Sequence, residues 1–437
     1  MQNRIIAFFI SSNSVVEPSY QTAVAHLQRL ATSFSKKIAN IELETYHLHL
    51  VYEGNIDKLI QKNGNAFKFC VGPHTSRKNS GWALSSDNRK SIRGRFLHAT
   101  VENEKISITN DYVDSIPVYY SLRKNVSLSN IEPVVVKDSK TCYKDLVPEA
   151  VYELLRYTYL IGDETFYRHI KTQDSDSTFI YTNQKDEAVK KYNLTITPSE
   201  ERWSTKTSDI LDEMNELNRF LVHESLSQEK DIVLPLSSGY DSRIILTSAI
   251  QDEKIKSKLN CYTYSPNMSL ECRPAEEICK LCGVSWKKIQ LPTNNFSMKR
   301  LEQIGLIFGS GLHFHGKYQF DFIDQIKNAL IPGESVFVSG FMTGISSGSA
   351  FSCKLKFKDN NLPFTTATNE LGESKYITDE YLFAHSRKLN SEMKYSVESN
   401  FRKVFSRIEG HDHQKLIVLD TWSRQKNFIS YQPRAMT

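Results

Sequence analysis

The chain of 437 residues contains no apolar run of the ~18–20 residues that a bilayer span needs. The longest near its start, Ile5-Ile6-Ala7-Phe8-Phe9-Ile10, is also shorter than a signal-peptide core and reads as a strand, so neither a membrane nor an export route is expected. Cysteine is scarce. The seven (70, 142, 261, 272, 279, 282 and 353) are odd in number, which excludes a disulfide-stapled scaffold and fits reduced thiols in the cytoplasm. Excess charge is scarce as well, with 55 Lys and Arg against 50 Asp and Glu, and a net +5 does not argue for nucleic acid. No Gly-x-x-x-x-Gly-Lys-Ser/Thr occurs, so the usual mononucleotide P-loop is excluded. The balance of 40% hydrophobic and 24% charged residues is that of a globular protein, and the length predicts two domains.

The first ~180 residues are rich in strand patterns. Residues 45–52 alternate, as do 105–109, which run through the turn Asn110-Asp111 towards Ile116-Pro117-Val118-Tyr119-Tyr120. One helix interrupts them, opened by Pro148 and striped by Val151, Leu154 and Leu155. His47 and His49 share a strand face, but without a third ligand they read as ordinary residues. The basic run from Arg77 to Arg95 reads as a solvated loop. A polar stretch at 183–206 reads as a linker. After it, Ile210, Met214, Leu217 and Leu221 predict a helix with one buried stripe. Strands at 232–236, 259–264, 286–291 and 336–338 then alternate with helices at 241–250, 274–282 and 317–330. This alternation predicts a doubly wound parallel sheet with ligands at the carboxyl ends of its strands.

The chemistry concentrates in Val233-Leu234-Pro235-Leu236-Ser237-Ser238-Gly239-Tyr240-Asp241-Ser242-Arg243. A strand enters a Ser/Gly turn that opens a helix, and the N–H groups and hydroxyls of such a turn make an anion site at the positive end of the helix dipole. The plainer reading is a serine-rich N-cap with Asp241 complementing the dipole.

This segment resembles the Ser-Gly-Gly-x-Asp-Ser pyrophosphate loop of the asparagine synthetase family, within the wider group of AMP-forming ATP pyrophosphatases. Ser237, Gly239, Asp241 and Ser242 match, and Ser238 stands where the family has the first of two glycines. Cys261-Tyr262-Thr263-Tyr264 is similar to the family's strand against adenine, with Tyr264 near the base plane. The stretch from Val336 through Ser339 and Gly340 to Ser349 resembles the second phosphate-side loop, where Gly344 replaces an Asp that normally shares Mg²⁺. In the first half, Asp111 through Tyr120 resembles the family's Asp-x-x-Gly-x-x-Pro-Leu-Tyr-Tyr, and Glu164 through Ile170 its Thr-Leu-Phe-x-x-Ile. Glutaminases of the family carry a Cys nucleophile directly after the initiator Met. Here that position is Gln2, so a nucleophile of that type is absent, as it is in the similar β-lactam synthetases and lasso-peptide cyclases. The segment from Asp420 to Ile429 resembles a helix that precedes a further synthetase block, so the chain is expected to be incomplete at its carboxyl end.

The resemblance implies an α/β protein: an Ntn-hydrolase-like α+β domain over 1–182, a linker over 183–206, and an ATP-pyrophosphatase domain over 207–437. It implies ATP and Mg²⁺ as cofactors, a small-molecule or peptide carboxylate as substrate, and ammonia or an amine as nitrogen donor. The implied ATP/pyrophosphate residues are Leu236, Ser237, Ser238, Gly239, Asp241, Ser242, Tyr264, Ser339 and Gly340, with Asp241 on Mg²⁺; no catalytic residue and no oligomeric state is assigned. Two alternatives stand beside it. One is a catalytically impaired ATP-binding homologue with a regulatory role. The other is a sulfur-transfer enzyme acting on tRNA, suggested by Cys279-Lys280-Leu281-Cys282, although these cysteines share an apolar stripe with Ala275 and Ile278 and read as core. His313-Phe314-His315 and His411-Asp412-His413 read as solvated clusters.

Overall fold

A computed structural model describes residues 4–72, 94–123, 125–157, 159–183, 187–192, 205–227, 229–265, 270–291, 298–308, 322, 325–326, 335–340, 387–409, 415, 418–419 and 421–426. The first half runs β1 (Arg4–Ser11), α1 (Pro18–Ser33), β2 (Lys37–Glu42), β3 (His47–Glu53), β4 (Ile60–Asn63), β5 (Ala66–Val71), β6 (Leu97–Val101), β7 (Lys105–Asn110), β8 (Tyr119–Ser121) and β9 (Ser127–Ser129). It continues with α2 (Glu132–Asp138), α3 (Pro148–Tyr157), β10 (Lys171–Thr172), β11 (Ser177–Thr182) and β12 (Glu187–Tyr192).

These strands form one largely antiparallel sheet built around β1, the initial apolar run. One edge of β1 pairs with β3 throughout, while the other divides between β9 and β5. The sheet curls back on itself: β8 and β11 lie far apart in strand order, yet the rings of Tyr120 and Phe179 are 4.9 Å apart. A register shift between Ile5 and Ala7 lets Ile5 share the inner core with Phe8 and Ile10, while Ala7 and Phe9 face the other way. On that outer face lie α1 and α2, two helices not anticipated in the β-rich half. Tyr20, Ala23, Leu27 and Leu30 give α1 its buried stripe, and a proline opens it. β12 lies inside the stretch expected as a linker and pairs with β11. The basic run at 77–95 falls outside the described residues except at its end. There Arg95 is packed beside Asp111 rather than solvated, and burial brings its guanidinium down to about 10.

The second half contains α4 (Thr207–Leu226), β13 (Asp231–Pro235), α5 (Tyr240–Ala249), α6 (Glu253–Lys256), β14 (Leu259–Ser265), α7 (Cys272–Cys282), β15 (Ser285–Gln290), α8 (Met298–Phe308), β16 (Ser335–Phe337) and α9 (Arg387–Ser406). Its four strands are parallel in the order β15-β14-β13-β16. Asp231 ties three of them together, accepting from Asn260 Nδ2 at 2.7 Å and from Ser335 Oγ at 2.6 Å. On one face Ile232 and Leu234 pack with Leu246, Ala249, Ala275 and Cys279 of α5 and α7; on the other Val233 and Tyr262 pack with Ile304 and Phe308 of α8. Both faces are thus covered, as doubly wound sheets require. The expected combination of an α+β half and a doubly wound α/β half is present.

The two halves share a core. α8 lies in the same apolar cluster as Leu27, Leu30 and Val134 of α1 and α2, and His26 Nε2 is 2.9 Å from the Leu306 carbonyl. A second contact joins Tyr152 of α3 to Val397 and Phe401 of α9. The expected buried stripe of α4 is corrected: Ile210, Leu217 and Leu221 are exposed, and only Val222 and Leu226 are buried. Only the last turn of α4 reaches the sheet, so its earlier apolar residues meet no core there. Among the described residues no helix is long and apolar enough to cross a membrane. The helix expected at 317–330 lies mostly outside the described residues.

Candidate functional site

The order of the parallel sheet places the site. From β13 the chain moves to β14 and β15 on one side and later returns to β16 on the other, so strand order reverses at β13. In open α/β sheets such a reversal opens a crevice beyond the carboxyl ends of the strands. Here the residues after β13 and those after β16 meet in that crevice.

Leu236 anchors the first loop. Its N–H donates to the Tyr262 carbonyl at 2.8 Å, and its own carbonyl accepts from Thr263 Oγ1 at 2.7 Å. Thr263 in turn accepts from Trp286 Nε1 at 2.9 Å, so β14 and β15 hold the loop's root. Neither Thr263 nor Trp286 is among the site residues that the resemblance implies, because their role arises from strand neighbours. Beyond this anchor the Ser237 N–H donates to Ser242 Oγ at 3.2 Å, the two hydroxyl oxygens lie 3.4 Å apart, and Gly239 N–H donates to Ser237 Oγ at 3.1 Å. The loop therefore closes on its own hydroxyls.

Helix α5 starts without a side-chain cap. Its N-cap is Gly239, in extended backbone at φ −71° and ψ 155°, a residue with no side chain to cap the N–H groups of the first turn. The expected serine is therefore not the N-cap itself, although Ser237 Oγ accepts the N-cap residue's N–H and Asp241 lies in the first turn as expected. The N–H groups that open a helix lack intrahelical partners, so an uncapped start presents donors and the positive dipole end together. Asp241 is exposed in this turn, and half-buried Ser238 fits without left-handed backbone.

The second loop closes the crevice. The Val338 N–H donates to the Val233 carbonyl at 2.9 Å, carrying the β16 pairing up to Ser339 and Gly340. A Cβ on Gly340 would lie 2.6 Å from Ser242 N and 2.8 Å from Asp241 C, so only glycine lets this loop touch the start of α5. The structure thus brings together Leu236, Ser237, Ser238, Gly239, Asp241, Ser242, Ser339 and Gly340. Tyr264, near the end of β14, packs its ring on Phe322 with centroids 4.3 Å apart. Gly344 and the rest of that loop lie outside the described residues, as do Gln2, Cys353 and the clusters around His313 and His411.

Other candidates resolve differently. Cys261 and Cys279 are fully buried under α7, where the Cys261 thiol donates to Cys279 and is pushed up in pKa by doing so. Of the Cys279 and Cys282 pair, Cys279 is thus enclosed in the core as expected, while Cys282 packs against that core half-buried. His49 is buried between Tyr20 Oη at 2.6 Å and Asn40 Oδ1 at 2.7 Å, and burial lowers it to about 4. Among the described residues no three His, Cys, Asp or Glu side chains are grouped to hold a metal.

No family model matches the sequence, and no curated protein matches it. Solved structures give distant likenesses. An NH3-dependent NAD synthetase from Campylobacter jejuni subsp. jejuni NCTC 11168, in complex with the nitrate ion, is 13% identical over 49% of this chain and 92% of its own, with a TM-score of 0.23. A glutamine phosphoribosylpyrophosphate amidotransferase from B. subtilis, complexed with ADP and GMP, is 8% identical over 76% and 81%, with a TM-score of 0.27. An allosteric regulatory enzyme of purine biosynthesis is 7% identical over 66% and 82%, with a TM-score of 0.29. At these identities and scores the likenesses decide nothing about residues or chemistry.

Proposed function

We propose that this chain is an ATP-dependent, AMP-forming amide ligase of the asparagine-synthetase kind. The observation that carries the reading is the uncapped start of α5 at the switch point, covered by a glycine that tolerates no side chain. An oxygen of the substrate carboxylate attacks the α-phosphorus, and the bond from that phosphorus to the bridging oxygen of pyrophosphate breaks. The N–H groups of α5 and the hydroxyls of Ser237 and Ser242 stabilise the departing pyrophosphate. Ammonia or an amine then attacks the acyl carbon, the bond to AMP breaks, and the nitrogen's surplus proton passes to solvent.

Adenine would lie against the carboxyl end of β14 beside Tyr264, whose ring is held by Phe322. Mg²⁺ is held in such sites by one or two carboxylates together with substrate phosphates. The exposed Asp241 beside the loop fits that role, and the ion would supply neutralisation of phosphate charge. The nitrogen that enters is that of ammonia or an amine. The test is incubation with ATP, Mg²⁺, a panel of carboxylates and ammonium or amines. AMP and pyrophosphate formed above an Asp241→Ala control support the ligase. ATP binding without AMP across the panel leaves a nucleotide-binding homologue instead.

A further inference from the structure

Where β5, β6 and β7 run side by side, Phe69, Ala99, Val101, Ile106 and Ile108 face the inner core, so strand alternation puts Lys68, Thr100 and Ser107 on the opposite, outer face. The register sets these three in one row across the strands. In the next row Glu102 and Lys105 close the β6–β7 hairpin. The Glu102 N–H donates to the Lys105 carbonyl at 2.8 Å and the Lys105 N–H to the Glu102 carbonyl at 3.3 Å. The five residues line an open groove of about 180 Å³, smaller than the ~300–1,000 Å³ of sites for drug-sized ligands.

Polar side chains around this groove are engaged. The Thr109 and Thr178 hydroxyl oxygens are 3.0 Å apart, Asn103 Nδ2 donates to the Glu44 carboxylate at 2.8 Å, and Lys62 lies over the Phe67 ring. Inside the groove, none of the five side chains makes a hydrogen bond or ion pair among the described residues. Opposite charges directly across an antiparallel pair attract, yet Glu102 and Lys105 form no ion pair. The groove therefore presents two ammonium groups, two hydroxyls and one carboxylate, all without partners in the chain. A simple anion there meets Glu102 as a like charge, and a simple cation meets two lysines. A small molecule carrying both charges a few bonds apart satisfies all five.

We infer that this groove is a second binding site, for a zwitterion with the head group of an α-amino acid. The ligand's carboxylate lies between Lys68 and Lys105 over the Thr100 and Ser107 hydroxyls, and its ammonium meets Glu102. The site belongs to the first half and does not depend on the nucleotide reading.

The test is ligand-observed NMR on the full chain without nucleotide, titrating glycine, acetate, methylammonium and inorganic phosphate separately. Glycine is expected to bind in the millimolar range and more tightly than the other three. Lys68→Ala and Lys105→Ala should each weaken glycine by about two- to fivefold, the worth of an exposed ion pair, and the double variant by the product of the two. Glu102→Gln should weaken glycine by a similar factor while leaving acetate unchanged or tighter, a split that a merely structural effect does not produce. The five side chains are exposed or half-buried, so these variants should keep the melting temperature of the unmodified chain. Absence of glycine binding overturns the inference. So does acetate or phosphate binding as tightly as glycine, which leaves a general anion patch, and so does glycine binding that the double variant leaves unchanged.

Discussion

Lys426 Nζ lies 2.7 Å from the Asp114 carboxylate, and the two side chains are 8% and 0% exposed. Asp114 stands where the resembled Asp-x-x-Gly motif has its glycine and adopts φ +51°, the left-handed backbone that a glycine serves. Its charge is met by Lys426 and by Asn110 Nδ2 at 2.7 Å, while Lys426 also donates to the Gln173 carbonyl at 3.2 Å. The ion pair thereby fastens the segment at 421–426 to the sheet of the first half. Removing one partner of a buried pair strands the other. Lys426→Met is expected to cost ~3–5 kcal/mol in chemical denaturation. Adding Asp114→Gly should restore most of it, because glycine removes the stranded charge and accepts the backbone. A loss below ~1 kcal/mol for Lys426→Met would show that the pair does not fasten this segment.

Gly340→Ala inserts a Cβ 2.6 Å from backbone that cannot rotate away. Overpacking of this type costs ~1–3 kcal/mol, and here it pushes the second loop off the start of α5. The expected outcome is a loss of ATP affinity of about tenfold or more at nearly unchanged secondary structure, read by titration and circular dichroism.

Thr263 both donates to the Leu236 carbonyl and accepts from Trp286 Nε1. Thr263→Val keeps the volume and removes both bonds, so a destabilisation of ~1–3 kcal/mol is expected. Because Trp286 loses its acceptor, its fluorescence emission should shift in the native protein. An unshifted emission would place the indole elsewhere.

Glu153 is fully buried at the α3–α9 contact, where burial raises its pKa from 4.5 to about 8 despite the Ile161 N–H bonding it at 2.5 Å. Below its unfolded value both states hold the proton. Between 4.5 and about 8 the unfolded chain releases it while the folded chain retains it, so stability falls as pH rises, by up to ~1.4 kcal/mol per pH unit. Above about 8 the loss levels off. Melting temperatures of the unmodified chain should therefore decline across this window more steeply than those of Glu153→Gln. Parallel profiles would contradict a buried neutral acid.

Much of the second half was legible because buried parallel strands such as Ile232 to Leu234 read as short apolar runs between helical periods. The Ser237 to Ser242 loop was legible for a similar reason, since a strand–turn–helix junction carries its residues consecutively. Gly340 resembled a loop glycine, but its contact with Ser242 depends on β16 returning beside β13. Helix α1 had its stripe in the sequence, at Tyr20, Ala23, Leu27 and Leu30, behind Pro18; a strand-rich neighbourhood masked it. In α4 the period correctly marked an amphipathic helix. Periodicity does not say whether anything lies against the apolar face, and along most of α4 the sheet does not reach it. Asp114 and Lys426 are too far apart in the chain for any local pattern to join them.

Backbone hydrogen exchange with and without MgATP tests the central claim most directly, because the proposed ligand donors are amides of the chain itself. Saturating MgATP is expected to slow exchange in the peptide covering Ser237 to Ser242 and in the one covering Ser339 and Gly340, with little change around Lys426 and Asp114. Unaltered exchange in both peptides at saturating nucleotide, or protection confined to the first-half sheet, would contradict a nucleotide site at the α5 switch point.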